Sequence, residues 1–200
     1  MLLSRSLNLA VLGLAVVLAG CNRESGGKAQ PQASPGASPP GAAGPNGLSG
    51  MIDRSHKGSA MPAFTLTDQS GRTAQLASFK GRPLLVNLWA TWCAPCVIEL
   101  PMLDRLAADR AGSLKVLTVS QDMANTQKVA PFLAGKGVTH LEPWLDPGGD
   151  LAFHYAAETL PITIYYDAQG REVWRYAGGH DWTSAETAKM LAEAEKENPG

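Results

Sequence analysis

Cysteine is scarce. The chain has three, Cys21, Cys93 and Cys96, and no second closely spaced pair accompanies the last two. A structural zinc site commonly needs two such pairs, or one pair with two spaced histidines. His140, His154 and His180 do not stand at HxxxH-type spacing, so zinc is a poor explanation of the pair. Basic residues form no stripe and the net charge is only −1, which argues against nucleic acid as a partner. Long apolar runs are missing too. The run "LNLAVLGLAVVLA", Leu7 to Ala19, falls short of the roughly 20 residues that a bilayer-spanning helix needs. Large apolar residues are almost absent from Asn22 to about Ala60, so that stretch cannot bury enough surface to offset its ordering entropy. No internal repeat is present.

What is there begins with the compartment. Arg5 followed by a short apolar run has the make-up of a secretory signal. The run closes in "LAGC", Leu18 to Cys21, which resembles the lipobox of bacterial lipoproteins, where the cysteine is lipidated and becomes the mature N-terminus. On that reading residues 1–20 are a signal peptide and Cys21 carries the membrane anchor. An ordinary secretory signal or an uncleaved anchor would export the chain equally. Residues 21–60, with "GGKAQPQASPGASPPGAAGPNGLSG", are expected to form a flexible tether with a reach on the order of 35 Å. Residues 61–200 are one domain's worth of chain. If Cys21 is lipidated, Cys93 and Cys96 have only each other as thiol partners.

The domain reads as alternating strands and helices. "FTLTDQSGRTAQL" predicts two short strands around a turn, and "PLLVNLWA" a strand covered on both faces. "CVIELPMLDRLAADRAG" places Val97, Leu100, Leu103 and Leu106 at helical spacing, and "LKVLTVSQD" is a second buried strand. Asn125 is placed to cap a helix running to Gly135. "LEPWLDP" predicts a short strand, "GDLAFHYAA" a short helix and "PITIYYDAQGREVWRYAG" a hairpin; a last helix is opened by Thr183 or Ser184. The pattern gives a mixed α/β sheet flanked by helices. A right-handed crossover then sets the cysteine pair at the carboxyl end of a central strand, where sites in open α/β sheets fall.

A disulfide between residues three apart closes too small a loop to be a useful staple, but it makes a workable redox centre, because the second thiol is held beside the first. Cys93 is expected in the first helical turn, where free N–H groups and the helix dipole favour a thiolate. Pro95 is tolerated there, and Pro101 is expected to kink the helix. Cys96, one turn in, is placed to resolve a mixed disulfide formed through Cys93. Trp89 and Trp92 are candidates for the site wall, and Trp89 fits the core equally well. Glu99 shares a helical face with Cys96. Shielded, it would have a raised pKa and could take the Cys96 proton; on periodicity alone it fits a solvated surface equally. Pro161 opens a strand after Leu160, whose backbone a substrate strand could pair with. Cu(I) binding by the thiol pair stays open as a rival, as does an interaction module with a merely structural bridge.

"VNLWATWCAPCVIELPML", "VLTVSQD" and "PITIYYDAQGREVWRYAGGHDW", together with the lipobox, resemble the TlpA/ResA-like branch of exported, membrane-anchored thioredoxin-family proteins. The resemblance implies a thioredoxin-like fold with an N-terminal β-hairpin extension. It makes Cys93 the nucleophile, Cys96 the resolving thiol, Glu99 the buried acid and Pro161 a cis-proline; Leu160 and Trp92, from their places beside these residues, are the candidate substrate contacts. It implies no cofactor and no metal. It also implies disulfide-containing exported proteins as partners, apocytochrome c or copper-site cysteines among them, and a membrane thiol reductant of the DsbD/CcdA type. Two positions depart from common thioredoxin patterns: Asn87 stands where a buried Asp is usual, and Leu160 offers no polar side chain before the proline. Sco-type copper carriers use CxxxC rather than CxxC, and Ala90 stands where a peroxidase site would have Thr.

Overall fold

Every residue of β4 (Leu84–Trp89) is buried, as its nearly unbroken apolar sequence requires of a strand covered on both faces. The computed structural model describes residues 47–196. The signal peptide, Cys21 and the tether up to residue 46 lie outside the described residues. After β4 the chain enters α1 (Ala94–Asp109) and returns as β5 (Lys115–Ser120), parallel to β4 in the register Leu84↔Lys115 to Trp89↔Ser120. On the other flank β7 (Ile162–Tyr166) lies antiparallel to β4, with Asn87 opposite Thr163 and Leu88 opposite Ile162. β8 (Glu172–Gly178) follows β7 as a hairpin. Beyond β5 come β6 (Trp144–Leu145) and the hairpin of β2 (Thr65–Thr67) with β3 (Thr73–Gln75), the expected N-terminal extension. Among the described residues the mixed sheet has eight strands, with β1 (Gly50–Asp53) at one edge, in the order β1-β8-β7-β4-β5-β6-β2-β3.

Period-two alternation divides β4 between two cores. Leu85 and Trp89 join α1, α2 (Val129–Gly135) and α4 (Ala185–Lys196) on one face. Leu84, Val86 and Leu88 join Leu66, Trp144 and α3 (Asp150–His154) on the other. Asn87, in step with Leu85 and Trp89, therefore points at the face that carries α1. Ser184 caps α4, its Oγ accepting the Thr187 N–H at 3.2 Å. The helix is held on the sheet by Trp174 Nε1 donating to Met190 O (3.2 Å) and Tyr165 OH donating to Leu191 O (2.9 Å).

Two expectations need correction. Composition predicts a tether to residue 60, but β1 (Gly50–Asp53) is a strand paired antiparallel with β8, and Leu48 is buried. A short edge strand in Gly-rich sequence has no periodicity to reveal it, and its partner lies far along the chain. Asn125 does not cap: it adopts the left-handed region (φ 59°) with no side-chain cap bond, a short 3-10 turn (Thr126–Lys128) follows, and α2 starts at Val129. Asparagine tolerates that conformation. Pro101 lies inside α1, which continues past it to Asp109.

The β1 correction carries a prediction. A chain beginning at residue 54 is expected to be less stable than one beginning at residue 47 by about 2–4 kcal/mol. The loss comes from re-exposing Leu48 and unpairing the β8 edge, and urea midpoints would measure it.

Candidate active site

The end of β4 delivers the cysteine pair to the start of α1. Cys93 is the residue that caps the helix, with extended backbone (φ −88°, ψ 104°), and its Sγ accepts the Cys96 N–H at 3.3 Å. Pro95 falls in the first turn, where its missing N–H would have had no helical partner. Cys93 and Cys96 are joined as a disulfide, with Cα atoms 5.3 Å apart. Both residues are largely enclosed, Cys93 at 5% exposure and Cys96 at 0%.

The loop before the pair is pinned. Asp122, just beyond β5, accepts the Thr91 N–H (3.0 Å) and Thr91 Oγ–H (2.6 Å), and also the Ser120 hydroxyl (2.7 Å). Trp89 is core, packed against Phe132, so the site-wall reading fails for it. Trp92 instead stands 71% exposed next to Cys93. It lines an open groove of about 440 Å³ with Thr91, Asp122, Met123 and Lys128. Pro161 lies one residue before Ile162, which pairs with Leu88, so it sits at the same end of the sheet as the disulfide. The Leu160–Pro161 bond is cis. Leu160 is half-buried and packs against both cores. Gly179 threads between Leu48 and Pro95: a Cβ there would meet Leu48 Cδ2 at 2.7 Å and Pro95 Cβ at 3.4 Å.

Glu99 is wholly buried, which rules out the solvated-surface reading. Three N–H groups converge on it: Asn87 Nδ2 on Oε1 (2.7 Å), and the His180 backbone (3.1 Å) and Trp182 indole (3.1 Å) on Oε2. Burial pushes its pKa up to about 7, and these three donors hold it from rising further. The His180 ring lies between Tyr176, to which it is tilted by 55°, and Trp182, which it meets edge-on at 75°, with centroids 4.8 Å away in each case. Burial lowers its pKa from the usual imidazole value, against the opposing pull of Glu186 and Asp181. Thr187 donates its hydroxyl to Asp181 O (2.9 Å), so His180 Nε2 carries the proton it shares with Thr187 Oγ (2.9 Å). No group of three or more His, Cys, Asp or Glu side chains that could hold a metal ion occurs among the described residues.

Sequence reasoning placed the cysteines and Glu99 together on one helix. It missed His180 and Trp182 as partners of Glu99, and it did not join Asn87 to it. Helical spacing carries no trace of groups more than eighty residues away.

A family model for redoxins matches residues 56–192. The thiol:disulfide interchange protein DsbE of Pseudomonas fluorescens biotype C is 31% identical over 146 residues, covering 71% of this chain and 80% of that protein. The thiol-disulfide oxidoreductase ResA of Bacillus thuringiensis subsp. konkukian is 26% identical over 121 residues, covering 60% and 69%. Among solved structures, the exposed lipoprotein thioredoxin of Streptococcus pneumoniae aligns with TM-score 0.56 and 25% identity, covering 64% of this chain and 96% of that one.

Proposed function

Because the chain belongs to the redoxin family, in its DsbE- and ResA-like thioredoxin-fold branch, and is a thiol–disulfide oxidoreductase, we propose that it works outside the cytoplasm. There, tethered to a membrane by lipid on Cys21, it reduces disulfides in other exported proteins. The observation that carries this reading is the bridged Cys93–Cys96 pair at a helix N-terminus, one turn from a fully buried acid.

In the forward reaction the Cys93 thiolate attacks one sulfur of a client disulfide. A mixed disulfide forms and one client thiolate leaves. Cys96 passes its proton to the Glu99 carboxylate, and its own thiolate attacks Cys93 Sγ. The second client sulfur is released, and the Cys93–Cys96 disulfide remains. Two electrons move from the dithiol to the client. The helix N-terminus supports the Cys93 thiolate as the attacking group. Trp92 and the backbone around Leu160 and Pro161 receive the client chain. Apocytochrome c haem-binding cysteines and copper-site cysteines are the client class.

An oxidising compartment would keep such a pair bridged, so a membrane thiol transporter of the DsbD/CcdA type returns it to the dithiol. Thiol trapping in intact cells tests this directly. The chain is expected to be mostly reduced at steady state, and to become fully oxidised when the transporter is deleted. A chain that is oxidised in both strains would contradict a reductase role. Membrane fractionation tests the anchor: Cys21→Ser is expected to move the chain from the membrane to the soluble fraction.

Trp92→Ala gives a separate prediction. The side chain is 71% exposed, so unfolding stability is expected to stay within about 0.5 kcal/mol of the parent. The rate of client reduction is expected to fall about three- to tenfold, the worth of one aromatic contact. Stopped-flow fluorescence with a purified client would measure it.

A further inference from the structure

Of the three donors to Glu99, two are fixed in polarity and one is not. Oε2 receives the His180 backbone N–H and the Trp182 indole N–H, and neither group can accept a hydrogen bond. Oε1 receives one bond only, from Asn87 Nδ2 at 2.7 Å. A side-chain amide has a donor end and an acceptor end of nearly equal size, and rotation about its terminal torsion exchanges them. The acceptor end of this amide, Asn87 Oδ1, is buried and receives no hydrogen bond. Buried polar atoms are nearly always paired, so an unpaired carbonyl oxygen on the residue that serves a buried acid calls for a reason. Thr163, directly across the β4–β7 pairing and wholly buried, has its Oγ 3.0 Å from the same Nδ2. Its hydroxyl can also donate or accept.

We propose that Asn87 turns its amide over as Glu99 gains or loses a proton, with the Thr163 hydroxyl reversing in step, so that the acid is hydrogen-bonded in both states. The ionised state has the arrangement described above: Nδ2 donates to Glu99 Oε1 and to Thr163 Oγ. In the protonated state the proton resides on Oε1, because Oε2 is already held by two fixed donors. Asn87 then presents Oδ1, which accepts from Glu99 Oε1–H and from the Thr163 hydroxyl, while Nδ2 takes the unpaired place. The three side chains make two mutual hydrogen bonds in each state. The amide that can turn over keeps Glu99 hydrogen-bonded in both states, where a fixed donor would favour the carboxylate alone.

The inference rests on Glu99 being the proton acceptor of Cys96. In that step a proton passes from Cys96 Sγ to Glu99 and no electrons move; the amide only reorients. Asn87 and Thr163 are positioning residues, touching neither client nor sulfur in the reaction as drawn. An aspartate at position 87 could not serve, because two carboxylates would compete for one proton. The other titratable groups around Glu99 are Cys96 on its own helix, Tyr176 from β8, and the His180 ring, whose pKa burial lowers and which is faced in turn by Asp181 and by Glu186 of α4. None of them takes the place of Asn87 at Oε1.

The test uses the oxidised full-length chain, labelled with ¹⁵N and ¹³C, titrated from about pH 5 to about pH 9 across the Glu99 value of about 7. At high pH the Asn87 NH₂ protons are expected to show through-space contacts to Thr163. Those contacts are expected to vanish at low pH, with the midpoint of the Glu99 carboxyl signal. In Glu99→Gln the new amide must turn its carbonyl to His180 and Trp182 and its NH₂ to Asn87, so Asn87 is expected to stay in the low-pH orientation throughout. Asn87 contacts that are the same on both sides of the Glu99 titration would overturn the proposal, as would a Glu99→Gln chain whose Asn87 signals still follow pH. The proton-acceptor role is judged separately. If Glu99→Gln resolves a mixed disulfide as fast as the parent, that role fails, whatever the Asn87 spectra show.

Discussion

Cys96→Ala, expressed with its own export signal, is expected to accumulate as discrete mixed disulfides with other exported proteins. Cys93 can still attack, because it keeps its place at the cap of α1. What is lost is the second thiol, tied to the first at a Cα separation of 5.3 Å. That tie makes resolution intramolecular, with an effective concentration far above that of any thiol in solution. Without it, release depends on bimolecular encounter, and multiple-turnover insulin reduction is expected to drop at least ~100-fold. The adducts should disappear when Cys93 is also replaced by Ser. Non-reducing electrophoresis with mass spectrometry reads both outcomes. Their absence from a folded, exported Cys96→Ala chain would count against the proposed direction of electron flow.

Glu99→Gln should act on both stability and rate. The Glu99 pKa is raised from 4.5 to about 7 in the folded chain, so the native state holds its proton where the unfolded state has released it. Its contribution to stability is fully present below pH 4.5 and declines as pH rises to about 7, by about 3 kcal/mol in total. The glutamine chain lacks that decline, so the stability difference between the two chains should change by about 3 kcal/mol across this window in favour of the variant at higher pH. Denaturant midpoints at several pH values would show it. The rate moves the other way. A carboxylate with this pKa is matched to proton transfer near neutrality, and its loss is expected to slow resolution of a preformed mixed disulfide ~100-fold at pH 7. The rising limb of the pH–rate profile near 7 should vanish as well. A variant that gained stability at high pH while resolving at the parental rate would leave Glu99 as a structural acid only.

The parts of this fold that were legible in sequence are those in which local pattern and burial agree. "LLVNLW" reads as a two-sided buried strand because it is one, and Ser184 reads as a cap because its hydroxyl meets the Thr187 N–H. β1 was illegible for the opposite reason: four residues in a Gly-rich stretch are fixed by pairing with β8, more than a hundred residues away. The site divides the same way. Cys93, Cys96 and Glu99 share one helix, so spacing alone brings them together. That Glu99 is buried depends on the chain after β8 folding back, so that His180 and Trp182 meet it. The two glycines before His180 allow that return, one with φ 106° and the other passing between Leu48 and Pro95. Asn87 looked like the loss of a proton-handling aspartate. In the structure it is instead a hydrogen-bond partner of the acid that stands on α1.

The most direct measurement is the alkylation rate of the reduced, folded chain at pH 7, compared with free cysteine and combined with the ease of opening the bridge. Cys93 is expected to react at least ~10-fold faster than a free thiol, and dithiothreitol is expected to open the bridge without unfolding. A Cys93 no more reactive than free cysteine, in a chain whose bridge opens only on denaturation, would contradict the proposal that these two sulfurs exchange electrons with other proteins.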